Sequence, residues 1–370
     1  MKKTLLLIFL FITFIQPALK AADSADDWKL VNALDLRIIG KGFENTERPY
    51  WRLPVSIKDS CRPDLWSRQQ CSSGIAVRFA TNSRRIGVRY SLLMNFHMLH
   101  MADTGTKGTD LYILEGDSAW RHVNTNRPRL VNDSLKLVES TYVSNLDGKM
   151  HEYIIYLPLY DGVESLYVKV DKDAEITAGS PQIIDSSRKI VAYGTSILQG
   201  GCASRTGMAS TNIISRELNA EVINLGFSGE GKMDSYMAKA MADIPDVDLY
   251  LLDPIPNCTE MMCDTLTYDF VKTIAAAHPD VPVVYVAGPI YPYARYDSNM
   301  GNYLPKKNAA ALRNIRRLQE EGFKNIYWID SVELDGPEDD GTVDGIHLTD
   351  LGFRHYADKV LPTLHHLTNW

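Results

Sequence analysis

From residue 190 to the C-terminus, five short apolar runs alternate with stretches of helical period, and no other feature narrows the possible folds as far. The runs are 190–193, 222–225, 249–252, 283–287 and 326–329, and the helical stretches fall near 213–218, 233–241, 270–277, 305–321 and 349–365. Strands separated by helices pair in parallel, because a parallel connection needs a long crossover, and that crossover is right-handed. The pattern predicts an α/β unit with a flavodoxin-like, doubly wound parallel sheet. In such a sheet every strand-to-helix loop emerges at one edge, where ligands bind.

That edge gathers residues distant in the chain. Ser196 follows the first run, Gly226-Phe227-Ser228-Gly229 the second and Asn257 the third; residues 288–300 follow the fourth, and Asp344 and His347 lie beyond the fifth. A turn serine taken alone is as well explained as a helix cap. A hydroxyl becomes a nucleophile when a base takes its proton and a third group orients that base. Asp344-Gly345-Ile346-His347 offers both partners at i and i+3.

The blocks around Ser196, Gly229, Asn257 and Asp344/His347, in that order, resemble the SGNH (GDSL-like) hydrolases over essentially everything after residue 185. Upstream, Met98-Leu99-His100-Met101, Thr104-Gly105 and Gly108-Thr109-Asp110-Leu111-Tyr112 resemble the GxDLY domain that precedes some of these enzymes. The resemblance implies a serine esterase or acylhydrolase with no metal or organic cofactor, acetyl esters on carbohydrates being a frequent substrate of two-domain relatives. It implies Ser196 as nucleophile, His347 as base and Asp344 as the group orienting it. The implied oxyanion donors are the Ser196 and Gly229 backbone N–H groups and the Asn257 side-chain amide. Two blocks depart from the family pattern: Gly-Asp-Ser-Leu reads Gly194-Thr195-Ser196-Ile197, and Gly-x-Asn-Asp reads Ile255-Pro256-Asn257-Cys258, so Asn257 is carried over by position. Two other readings stay open, a lipase or thioesterase for longer acyl chains and a non-catalytic carbohydrate-binding protein.

Residues 30–180 follow a period of two. Ile75, Val77 and Phe79 alternate with polar or small neighbours, Asn82-Ser83 turns the chain, and Ile86, Val88 and Tyr90 resume the alternation. Short strands joined by turns predict an antiparallel β-sandwich before the parallel sheet, with a boundary near 179–187 and the second domain over 186–370. Residues 1–22 have the layout of a secretory signal peptide: Lys2 and Lys3, an apolar run too short to span a bilayer comfortably, then small residues at Ala21 and Ala22. The expected location is therefore periplasmic or secreted, without stable membrane insertion after signal removal.

With 39 basic and 46 acidic residues in 370, the formal charge is −7. A chain of that sign repels nucleic acid unless a local basic patch intervenes. Arg313, Arg316 and Arg317 read more simply as a solvated helical face. The expected partner is an acylated carbohydrate or another small ester.

Five cysteines leave at least one unpaired; Cys61 with Cys71 and Cys258 with Cys263 are local pairs whose connectivity spacing does not establish. Cys258 is expected to pack beside the site. His97 and His100 among Met94, Met98 and Met101 have donor types that suit copper, although packing by flexible methionines is the stronger reading. Tyr291 and Tyr293, with Tyr296, stand equally as a sugar-binding platform or as ordinary packing. Asp253 is a rival to Asn257 in the same loop and reads more simply as structural, and Asp110 reads as a turn residue or a brace for the sheet edge.

Overall fold

The structure is a computed structural model that describes residues 27–116, 119–331 and 340–370. The signal layout at 1–22 lies outside the described residues. Among those residues no helix is long and apolar enough to cross a membrane.

The N-terminal half folds as two antiparallel sheets. One has the order β1 (Trp28–Asn32), β10 (Val163–Asp171), β4 (Ile86–Leu92), β8 (Leu137–Val143), β7 (Leu130–Asn132). The other runs β11 (Ile176–Thr177), β3 (Ala76–Thr81), β9 (His151–Tyr156), β5 (Asp110–Glu115), β6 (Ala119–Thr125), with β2 (Arg37–Ile39) also pairing with β3. Ile75, Val77 and Phe79 join Val88, Tyr90, Leu166 and Val168 in one core, so the alternation of period two packs two sheets face to face.

The C-terminal half is a five-stranded parallel sheet of order β13 (Ala220–Gly226), β12 (Asp185–Gly194), β14 (Leu249–Asp253), β15 (Val283–Val286), β16 (Ile326–Ile329). All five predicted strands form. Along β12 the faces alternate: Val191 and Tyr193 meet α5 (Ser235–Ala242), α6 (Glu260–Ala277) and α7 (Ser298–Glu320). Ile190 and Ala192 meet α4 (Ser210–Leu218) and α8 (Asp350–Thr368) on the other side. Burial on both faces explains why these strands read as unbroken apolar runs.

Two helices begin earlier than the sequence suggests. Thr259 caps α6 by accepting from the Met262 N–H, and Asp297 caps α7 by accepting from the Asn299 and Met300 N–H groups. Helix α7 then runs through Pro305, which the apolar pattern reads as its start. The cysteines depart from the local-pair option. All five thiols are free and buried; Cys61 packs with Leu53 and Leu65 in the core under the parallel sheet, and Cys258 and Cys263 lie in that same core.

That placement of Leu53, Cys61 and Leu65 shows a segment from the N-terminal half lying on the second unit. Its fastenings are polar. Gly40 N–H donates to Glu221 Oε1 at 2.8 Å, and the buried Arg52 guanidinium donates to the carbonyls of Gly226 at 2.7 Å, Asn224 at 3.2 Å and Arg68 at 2.9 Å. Arg62 pairs with Glu230 and Asp234. The strand end that leads to Gly229 is thus braced by arginines more than 160 residues earlier in the chain.

Candidate active site

Strand β12 ends at Gly194, and a short helix, α3 (Ser196–Gln199), begins two residues later. Thr195 caps it through its side chain, so the threonine that replaces the family's aspartate has a local purpose at the helix start. Gly200, at φ 103°, closes the helix in the left-handed region. The turn raises Ser196 at the carboxyl edge of the sheet with only 8% of its surface exposed.

The end of the chain comes to meet it. His347 Nε2 lies 3.0 Å from Ser196 Oγ, and His347 Nδ1 lies 2.8 Å from Asp344 Oδ2. Asp344 Oδ1 also accepts from the backbone N–H groups of His347 at 2.8 Å and Ile346 at 3.0 Å, which fixes the carboxylate. Burial pushes the Asp344 carboxyl up, but these N–H groups and the imidazole outweigh it and hold the group below the usual carboxylate range. A carboxylate at Nδ1 favours the tautomer with its proton there, leaving the Nε2 lone pair facing the hydroxyl. Such a relay can take a hydroxyl proton as a bond to carbon forms and return it to a leaving group.

The strand-end loops interlock around this pair. Phe227 N–H donates to Gly194 O at 3.0 Å, and Asn257 Nδ2 donates to Phe227 O at 3.2 Å. Asn257 therefore stands against the Gly226–Gly229 turn, with a second amide hydrogen left to donate. Gly229 has φ 73°, and a β-carbon there would meet nothing within 4 Å, so its backbone borders open space. Neither the Gly229 nor the Ser196 N–H finds an acceptor among the described residues. The neighbouring Ser228 N–H is occupied, donating to Gln199 Oε1 at 2.8 Å.

Several contributors have no local signature in the sequence. Gln199 Nε2 donates to Leu159 O at 2.9 Å, Ser73 Oγ to Gln199 O at 2.6 Å, and Tyr160 OH to Ser196 O at 3.3 Å. The β-sandwich side thus grips both ends of α3. Asp110, buried at the start of β5, accepts from Arg205 Nη1 and Gly207 N–H, each at 2.8 Å, and from Thr125 Oγ1 at 2.7 Å. It is a brace between the two units.

The aromatic loop corrects one expectation. Tyr291 is only 6% exposed and packs with Ala294 and Leu304, so it is no platform for a sugar. Tyr293 stacks on it at 5.7 Å, and its Cδ1 lies 3.2 Å from where a β-carbon on Gly345 would stand, inside the Asp344–His347 turn. Tyr296 is exposed. Of the histidines and methionines between 94 and 101, His97 engages Asp103 and Lys107, and Met101 is buried among apolar neighbours. Asp253 is buried at the end of β14 with Tyr356 OH donating to Oδ2 at 3.1 Å and no partner for Oδ1, and desolvation pushes its pKa up to about 8.

Residues 187–365 match the model of the GDSL-like lipase/acylhydrolase family, and residues 27–176 match the GxDLY model, the N-terminus of SGNH-hydrolase-type esterases. A comparison with curated proteins gives no match. Among solved structures, a GDSL-like lipase from Bacteroides ovatus is 32% identical with TM-score 0.86, covering 93% of this chain and 98% of that one. A salicylyl-acyltransferase from a tetracycline biosynthetic pathway shares the fold at 18% identity and TM-score 0.72, covering 92% and 97%. A family two carbohydrate esterase from Cellvibrio japonicus shares it at 13% identity and TM-score 0.56, covering 93% and 98%. The strand order, the paired domain models and the full-length likeness to the Bacteroides protein agree: this chain belongs to the GDSL-like lipase/acylhydrolase family.

Proposed function

We propose that the protein is an exported serine esterase that removes small acyl groups, acetyl foremost, from carbohydrate. Ser196 attacks the ester carbonyl, His347 takes its proton and returns it to the leaving alcohol, and Asp344 stabilises the imidazolium. The Ser196 and Gly229 N–H groups and the Asn257 amide receive the oxyanion. The observation that carries the reading is the unbroken Ser196–His347–Asp344 hydrogen-bonded relay.

The low exposure of Ser196, 8% of its surface, supports a small acyl group over a long chain. The carbohydrate part is supported by carbohydrate esterases sharing the two-domain fold, and export by the signal layout of residues 1–22. Acetate release from a panel of acetylated polysaccharides tests the proposal. The intact protein should release acetate from at least one of them, and Ser196→Ala should release none while melting at the same temperature. Equal release by both would refute it. N-terminal sequencing of the mature protein from cell fractions tests export, with a start near residue 23 expected outside the cytoplasm.

A further inference from the structure

The β-sandwich side brings a second imidazole to the catalytic one. Residues 98–101 form a tight turn closed by an antiparallel bridge between Met98 and Met101, with Leu99 and His100 at its tip. The His100 ring centroid lies 5.4 Å from that of His347. Cys202 completes the group: one nitrogen from each ring and the Cys202 sulfur all lie within 4.8 Å of one another.

We propose that His100, Cys202 and His347 bind Zn2+, and that the bound ion shuts off ester cleavage by occupying the Nε2 lone pair of His347. The donor set suits a borderline-soft metal, and three protein ligands leave a fourth tetrahedral position for water. At Zn–N of about 2.0 Å and Zn–S of about 2.3 Å, ligand atoms sit roughly 3.5 Å apart. Closing the group to that spacing asks for about an ångström of side-chain rotation, within reach of a histidine at a turn tip.

Three further observations support the site. His347 Nδ1 is already held by Asp344, the carboxylate–imidazole arrangement that orients a metal-binding histidine through its other nitrogen. The segment that leads into the turn is held by Asp161, which accepts from the Met94 and Phe96 N–H groups, each at 2.9 Å, and Met101 at the far end of the turn packs in the same core as Cys202. Finally, Cys202 sits at φ 73°, where glycine or asparagine is the less strained choice, so its side chain is not there for the turn.

Coordination excludes catalysis. The lone pair that would accept the Ser196 proton is the one the metal takes, and Ser196 Oγ, 3.0 Å away, loses its acceptor. The Cys202 thiol proton leaves to solvent as the metal–sulfur bond forms.

The site itself rests on geometry, while its inhibitory effect rests on the esterase reading, so two readouts are needed. In calorimetric titration of the full chain with Zn2+, the intact protein and Ser196→Ala should each bind one ion. His100→Ala and Cys202→Ala should each weaken binding at least tenfold, with unchanged thermal melting as the check on folding. In the rate assay, Zn2+ should inhibit the intact protein and EDTA should restore it. The inhibiting concentration for each variant, measured against its own metal-free rate, should rise by the same factor. Unchanged Zn2+ affinity in both variants would overturn the site, whether or not any ester is cleaved. Binding without loss of rate would overturn the inhibition.

Discussion

The Ser196 hydroxyl lies 3.0 Å from His347 Nε2 although 151 residues separate them in the chain. Their meeting depends on the parallel sheet, which delivers β12 and the segment beyond β16 to one edge, and on the β-sandwich contacts that hold α3 in place.

Asp344→Asn keeps the shape of the turn but removes the charge that stabilises the imidazolium and selects its tautomer. Turnover of a p-nitrophenyl acetate substrate should fall by about 1,000- to 10,000-fold with little change in melting temperature. A rate within about tenfold of the intact protein would mean that another group orients His347.

Asn257→Ala removes an amide that the interlocked loops hold against Phe227 O. Loss of one oxyanion donor typically costs on the order of 100- to 1,000-fold in rate. The loss should fall on kcat with KM nearly unchanged, since the amide acts on charge that develops after binding. A KM effect alone would place Asn257 in substrate binding.

Asp110→Ala should destabilise without touching the chemistry. It leaves Arg205 and the Gly207 N–H without their carboxylate, and removing one partner of a buried pair costs about 3 kcal/mol or more. Chemical denaturation measures this. A change below about 1 kcal/mol would show that the two units are held together elsewhere.

Asp253 should make stability depend on pH in the direction opposite to a salt-bridged carboxylate. Its folded pKa is raised from 3.8 to about 8, so over that interval the unfolded chain releases a proton that the folded chain keeps. Stability relative to Asp253→Asn should fall as pH rises, by about 1.4 kcal/mol per unit, and level off above the folded value. Denaturation series of both proteins from pH 4 to pH 9 check this, and a constant difference would contradict it.

The sequence makes some of these features readable and hides others. The five strands are legible because burial on both faces leaves each as an apolar run, and the β-sandwich because the residues facing between its two sheets, such as Ile75, Val77 and Phe79, recur at every second position. Ser196, Asp344 and His347 are readable because their chemistry needs fixed residue types at loop positions. The starts of α6 and α7 are missed since Thr259 and Asp297 announce them only through side-chain caps, and Pro305 imitates a helix start. Tyr291 carries no sign of its burial in the sequence around it. Arg52, Gln199 and His100 reach the site through contacts distant in the chain, which no local pattern encodes.

Reaction of the intact protein with a fluorophosphonate that labels activated serines, followed by peptide mass spectrometry, tests the central claim most directly. The account predicts one adduct, on the peptide carrying Ser196, abolished by Ser196→Ala and strongly slowed by His347→Ala. An adduct on a different residue, or full ester cleavage by a protein in which Ser196 stays unmodified, would contradict it.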